Sequence, residues 1–247
     1  MNQDGVVRIA MWSGPRNIST AMMRSFENRS DCAVWDEPFY AHYLSATGLD
    51  HPMATEIIAA YETDWEKVAN LASGPVPDDK AIFYQKHMTH HILQHMDLAR
   101  LQGIRHAFLI RDPARVLMSY MEKRADVTLE DLGFPQQHQL FEMIWDDQRM
   151  PPPVLDAEDL LLNPMAMSVA LCAALGIEFD PAMLSWPVGR RESDGLWAAH
   201  WYGSVEQSTG FMAPSNSARE VPEHLRDLLV EAEFYYQALR PHRLKVK

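Results

Sequence analysis

The sequence predicts an α/β fold: a mainly parallel central sheet with helices on both faces. Three observations predict it. Short apolar runs of strand length alternate with segments of helical spacing. Gly, Pro and Asp cluster where the runs end. Hydrophobic residues make up 47% of the 247-residue chain, enough for a large buried core. Strands roughly one helix apart pair in parallel, because a parallel neighbour needs a crossover connection.

Val6 to Trp12 reads as the first strand and stops at Ser13-Gly14-Pro15. From Ile18 the spacing turns helical, with Ile18, Met22 and Phe26 four apart. Cys32 to Trp35 is a second strand and Ala81 to Tyr84 a third. A helix is expected from about Thr89 to Arg100, closed by Gly103. His106 to Ile110 is a fourth strand. Pro113 then opens a helix, with Asp112 as its N-cap. Pro151-Pro152-Pro153 breaks the chain before a fifth run at Val154-Leu155, and Val221 to Leu239 returns to helical spacing. Tyr40 to Gly74 and Val127 to Met150 are expected to supply helical cover over the strand ends. With no repeat, low-complexity stretch or linker, residues 1–247 read as a single domain.

Asp and Glu number 34 against 22 Lys and Arg, a net charge of -12. That balance argues against nucleic acid and anionic membrane as partners, since both attract a positive field. A small anionic ligand remains compatible, because a few Arg groups and backbone N–H groups make a local positive site. Cys32 and Cys172 stand among apolar neighbours and read as core residues. There is no basic stretch leading a long apolar run and no apolar run of membrane-spanning length, so the cytoplasm is the expected compartment. Oligomeric state stays open, a homodimer included.

Ser13-Gly14-Pro15-Arg16-Asn17-Ile18-Ser19-Thr20 joins the first strand to a helix. Such a turn is a phosphate cradle: free N–H groups and the helix dipole favour an anion, Ser19 and Thr20 add hydroxyls, and Arg16 adds a permanent charge. It is not a Walker A loop, which requires a Lys before the Ser or Thr; here Ile18 precedes Ser19.

The loop Gly14 to Thr20 resembles the 5′-phosphosulfate loop of sulfotransferases, whose pattern is Pro-Lys/Arg-Ser-Gly-Thr-Thr. Arg111 to Ser119 looks like that family's 3′-phosphate motif: an Arg ends a strand, a Pro opens the helix, and a Ser lies eight residues after the Arg. Ala157-Glu158-Asp159-Leu160 with Pro164 is similar to the family's Glu-Asp-Leu-x-x-x-Pro segment. Glu37-Pro38-Phe39-Tyr40 matches small bacterial members. The resemblance spans Val6 to Gly176. It implies a three-layer P-loop NTPase-like fold and transfer of a sulfuryl group from 3′-phosphoadenosine 5′-phosphosulfate to a hydroxyl or amine of a small-molecule acceptor, without a metal.

On that resemblance, Ser13, Gly14, Pro15, Arg16, Asn17, Ile18, Ser19, Thr20, Arg111 and Ser119 bind the donor. Arg190 and Arg191 are candidates to close on its 3′-phosphate, with Ser208-Thr209-Gly210-Phe211 as the other candidate segment. The chain departs from the pattern at Asn17-Ile18, where relatives often carry Ser-Gly, and at Arg16, where Lys is usual. The candidate catalytic residues are His87, Glu37 and Arg16. The acceptor must lose a proton, and His87 is the first candidate base, since the resemblance puts the family's Lys-x-His base nearby, although Lys86 and His87 are adjacent here; Glu37, ending the second strand, is the other. His87, His91 and His95 are four apart, but no Glu or Cys stands with them to complete a zinc set. Two other readings stay open: a P-loop kinase or hydrolase, and a non-catalytic binder of adenosine 3′,5′-bisphosphate.

Overall fold

The computed structural model describes residues 5–122, 126–213 and 220–246. Five parallel strands form one sheet: β1 (Val7–Ser13), β2 (Cys32–Asp36), β3 (Ile82–Met88), β4 (Ile104–Ile110) and β5 (Val154–Asp156), in the order β2-β3-β1-β4-β5. The helices are α1 (Ser19–Glu27), α2 (Tyr40–Thr47), α3 (Ala54–Ala60), α4 (Trp65–Ser73), α5 (Pro113–Met121), α6 (Leu129–Leu132), α7 (Phe134–Gln148), α8 (Ala157–Leu162), α9 (Pro164–Ala174), α10 (Ala198–Trp201), α11 (Gly203–Glu206) and α12 (Arg226–Leu239). This is the three-layer α/β fold that the sequence predicts. No helix of the described residues is long and apolar enough to cross a membrane.

Side-chain alternation splits the core in two. Ile9 and Met11 of β1, Ile82 and Tyr84 of β3 and Leu109 of β4 pack under Met22, Met23 and Phe26 of α1 and Met167 and Leu171 of α9. Ala10, Trp12, Phe108 and Ile110 face the other way, onto Val68 of α4, Leu117 of α5, Phe141 of α7 and Leu239 of α12. Both faces are covered, so the strands read as apolar runs without clean alternation. Both cysteines are buried and unpaired, as expected.

Several local predictions hold in detail. Pro113 opens α5, and the Asp112 carboxylate caps it by accepting the Arg115 N–H at 3.0 Å. Gly103 takes a left-handed conformation before β4, but it closes no helix there. The helix expected from about Thr89 to Arg100 does not form. Two single 3₁₀ turns, Thr89–His91 and Leu98–Arg100, stand there with irregular chain between. The Asp97 side chain accepts the Ala99 N–H at 3.0 Å, an N-cap bond that starts a new turn where helix interior was expected. His87 belongs to β3, so the spaced histidines share no helical face.

β5 has only three residues, and the chain's last described residues cover its outer edge. Val154 bridges Arg243 in the parallel sense, and the Leu244 N–H donates to the Val154 carbonyl at 2.8 Å. The reversal of strand order around β1 opens a crevice at the carboxyl ends of the strands, where open α/β sheets bind ligands.

Candidate functional site at the strand ends

A cavity of about 430 Å³ lies in this crevice. Pro15, Arg16, Asn17, Ile18, Ser19 and Thr20 form one wall, and Arg111 and Ser119 another. The loop's shape follows from two left-handed residues that flank Asn17, Arg16 (φ 61°) and Ile18 (φ 55°). For the β-branched Ile18 this conformation is strained. Alternation of hand turns successive N–H groups to one side, a concavity suited to an anion. Asn17 anchors the loop from below, donating its Nδ2 to the Leu109 carbonyl at 3.3 Å.

The two predicted arginines meet. Arg111 Nη1 donates to the Arg16 carbonyl at 2.7 Å, and Arg16 Nε donates to Ser119 Oγ at 2.9 Å. Burial holds Arg16 below its usual pKa; Glu122 opposes this and the like charge of Arg111 adds to it. Glu158, from the Glu-Asp-Leu segment, lies 3.5 Å from Arg111 Nε and 3.4 Å from Arg115 Nε. Its neighbour Asp159 pairs with Arg243 Nε at 3.0 Å. That segment therefore braces the arginine and the chain's tail.

The opposite end of the cavity is built on β2 and β3. Glu37 lines it and has φ 45°, a left-handed backbone directly before Pro38. A residue before proline strongly prefers extended geometry, so this position is strained by about 1–3 kcal/mol. The Glu37 N–H donates to the Lys86 carbonyl at 2.9 Å, which holds it there. Parallel register sets Asp36 beside Lys86, and Lys86 Nζ donates to Asp36 (2.9 Å), to Glu37 and to the Tyr202 hydroxyl (2.7 Å). Tyr40, His51, His90 and His91 complete this end, with Tyr40 stacked on His91 at 4.6 Å. Burial holds His90 down at about 3 and His91 well below its usual value, so both rings are neutral.

Five of the predicted site residues do not line this cavity: His87, Ser13, Gly14, Arg190 and Arg191. His87 does not reach the cavity. Alternation along β3 sends Lys86 and Met88 to the cleft and His87 to the opposite face, where it stacks on Trp12 at 4.4 Å and hydrogen-bonds Gln85 Oε1 at 3.1 Å. Burial holds it at about 3. Ser13 and Gly14 stand behind the wall. The Ser13 hydroxyl turns to Met88 Sδ at 3.9 Å, and a Cβ on Gly14 would lie 2.5 Å from the Leu132 carbonyl. Arg190 is exposed away from the cavity. Arg191 bonds the Pro187 carbonyl at 2.6 Å and lies 3.7 Å from Glu27.

The other late segment does line the cavity, through Ser208, Gly210 and Phe211. Trp186 holds it, its Nε1 donating to Ser208 Oγ at 3.1 Å and its ring meeting Phe211 edge-on at 5.1 Å. Of the aromatic residues near these segments, Tyr40, Trp201, Tyr202 and Phe211 line the cavity, whereas Trp197 and Tyr43 lie outside its lining. Sequence reasoning missed Lys86 and Asp36. The period-2 series Ile82, Tyr84, Lys86, Met88 puts Lys86 on one face of β3, but nothing in it says that this face borders the cleft.

The family model described as "Sulfotransferase domain" matches residues 7–243. Two proteins of Arabidopsis thaliana are similar over 95% of this chain: branched-chain-amino-acid aminotransferase-like protein 2 at 35% identity and protein 1 at 36%. The chain spans only 41% and 42% of their lengths. Among solved structures, the sulfotransferase domain from the curacin biosynthetic pathway superposes with a TM-score of 0.55 at 16% identity, covering 95% of this chain and 98% of that one. At that identity the likeness is one of fold. A match over nearly the whole chain, on a five-stranded parallel sheet that bears these motifs at its strand ends, makes this chain a member of the sulfotransferase-domain family.

Proposed function

We propose that the chain moves a sulfuryl group from 3′-phosphoadenosine 5′-phosphosulfate to a hydroxyl or amine of a small acceptor, with Glu37 as the base. One observation carries the reading. Arg16, Ser119 and Arg111 come from segments far apart in sequence and meet at one end of a cavity whose other end presents a carboxylate.

The residues fit such a donor. Two guanidinium groups close enough to disfavour each other gain from an anion between or beside them. The loop of alternating hand and the start of α1 offer N–H groups to a phosphate. The donor, when bound, supplies an activated sulfuryl group on a phosphate leaving group. Arg16 is the fixed positive charge at that junction and, as a guanidinium, stabilises charge without giving up its proton. Glu37 accepts the acceptor's proton, and the strain at its backbone holds the carboxylate ready. The covering segment with Trp201 and Phe211 shields the reacting groups from water.

Isothermal titration and thermal melts with adenosine 3′,5′-bisphosphate and with magnesium ATP test this. The bisphosphate, at a hundredfold excess over its Kd, is expected to raise the melting point by about 5–10 °C. ATP is expected to do less. Labelled donor with a panel of alcohols, phenols and amines then tests transfer. Preference for magnesium ATP, or binding of neither, overturns the reading; bisphosphate binding with no transfer to any acceptor reduces the chain to a binder.

A further inference from the structure

Asp36, Glu37, Lys86 and Tyr202 form one buried cluster with unequal members. Asp36 is enclosed: it accepts from Lys86 at 2.9 Å, from the Tyr202 hydroxyl at 2.7 Å and from the Gly195 N–H at 3.3 Å. It lies outside the cavity lining, whereas Glu37 is part of it. The Tyr202 hydroxyl gives its one proton to Asp36 while receiving Lys86 at 2.7 Å and Trp197 Nε1 at 3.1 Å. The three protons of Lys86 are thus all engaged, on Asp36, Glu37 and Tyr202.

Two carboxylates share one ammonium group here. With all three ionised the cluster carries a charge of about −1. A proton moving from an acceptor hydroxyl to Glu37 brings it to zero and leaves Asp36 and Lys86 as a matched pair.

We propose that Asp36 and Lys86 are positioning residues for Glu37: Lys86 fixes its carboxylate at the cavity wall, and the Asp36 carboxylate, held beside it on the same ammonium group, favours proton uptake by Glu37. The inference rests on the reading of Glu37 as the base.

The physical tendencies agree with the geometry. Burial raises the Glu37 carboxyl above its usual range; Lys86 opposes this and Asp36 adds to it. Burial would deprotonate Lys86, but Asp36 and Glu37 together more than offset it, so its pKa is raised. The other groups toward Glu37 are the Tyr202 hydroxyl, held protonated well above its usual value, the neutral His90 and His91, and Arg16 across the cavity.

The test uses opposite signs. Glu37 is titrated by ¹³C NMR of its side-chain carboxyl in the full chain, with Glu37→Gln to identify the signal. The acidic limb of kcat/KM is measured in parallel. Asp36→Asn removes a negative charge and is expected to lower the Glu37 titration by about one pH unit or more. Lys86→Met removes a positive charge and is expected to raise it by a similar amount. Lys86→Arg keeps the charge and is expected to restore the wild-type midpoint. A general structural disturbance would move both midpoints the same way.

If Lys86→Met does not fold, a lowered midpoint in Asp36→Asn with an unmoved one in Lys86→Arg carries the test. Shifts of like sign in Asp36→Asn and Lys86→Met, or no shift in a folded Asp36→Asn, overturn the inference. Opposed NMR shifts in a protein that transfers no sulfuryl group uphold the charge arrangement and sink the proposed reaction. Transfer with an unmoved Glu37 midpoint sinks the inference alone.

Discussion

Arg111 donates through Nη1 to the backbone carbonyl of Arg16 at 2.7 Å, across 95 positions of sequence. The end of β4 is thereby latched to the loop that follows β1. One guanidinium both shapes that loop and lends it charge.

Arg111→Ala removes the latch and the charge together. Hydrogen bonds to a charged group contribute about 1.5–3 kcal/mol, so affinity for adenosine 3′,5′-bisphosphate should fall by about 10- to 150-fold. Isothermal titration at fixed salt reads this directly. An unchanged Kd would place the bisphosphate elsewhere.

Glu37→Gln keeps the shape of the side chain and removes the base. Under the proposed reaction kcat should fall by about 10²- to 10⁴-fold, the usual contribution of general base catalysis. Bisphosphate affinity should hold, because Glu37 stands at the opposite end of the cavity from Arg111. A variant that retains full turnover would exclude Glu37 as the base.

Acid should destabilise the fold through its buried histidines. Burial holds His87 and His90 at about 3 and His106 at about 4, against an ordinary value of 6.5. Above pH 6.5 each is neutral whether the chain is folded or not, and none contributes a pH dependence. Below it the unfolded chain binds protons that the folded chain refuses. Each histidine then removes about 1.4 kcal/mol per pH unit, until the pH reaches its folded value. Urea midpoints should drop clearly between pH 7.5 and 5.5; a flat profile would mean these rings reach solvent.

Gly14→Ala should destabilise without touching any charge. Its Cβ would sit 2.5 Å from the Leu132 carbonyl, a backbone atom that cannot rotate away. Overpacking of this kind costs about 1–3 kcal/mol, or roughly 3–10 °C in melting point for a chain of this size. Differential scanning calorimetry decides it.

The sequence carried more of the fold than of the chemistry. The strand–loop–helix at Ser13 to Thr20 and the capped start of α5 were legible because their signals are local: Gly14, Pro113 and Asp112 act on neighbouring backbone. The choice between Lys86 and His87 was not. The two residues differ by one position, and one step along a strand reverses the face. β3 is buried along its whole length and carries polar residues on both faces, Gln85 and His87 on one and Lys86 on the other, so its pattern did not mark which face held the cleft. Tyr202 reaches Asp36 across 166 positions, a pairing that no spacing rule contains. The segment after Thr89 failed for a different reason, because the Asp97 cap competes locally with a continuous helix.

The join between Leu244 and Val154 has a meaning for handling the protein. A three-residue border strand would otherwise leave open donors and acceptors that recruit strands from neighbouring molecules. Arg243 and Leu244 stand guard over that border. Trimming them would remove no idle tail; it would trade a closed surface for a sticky one, and clumping would be the first symptom.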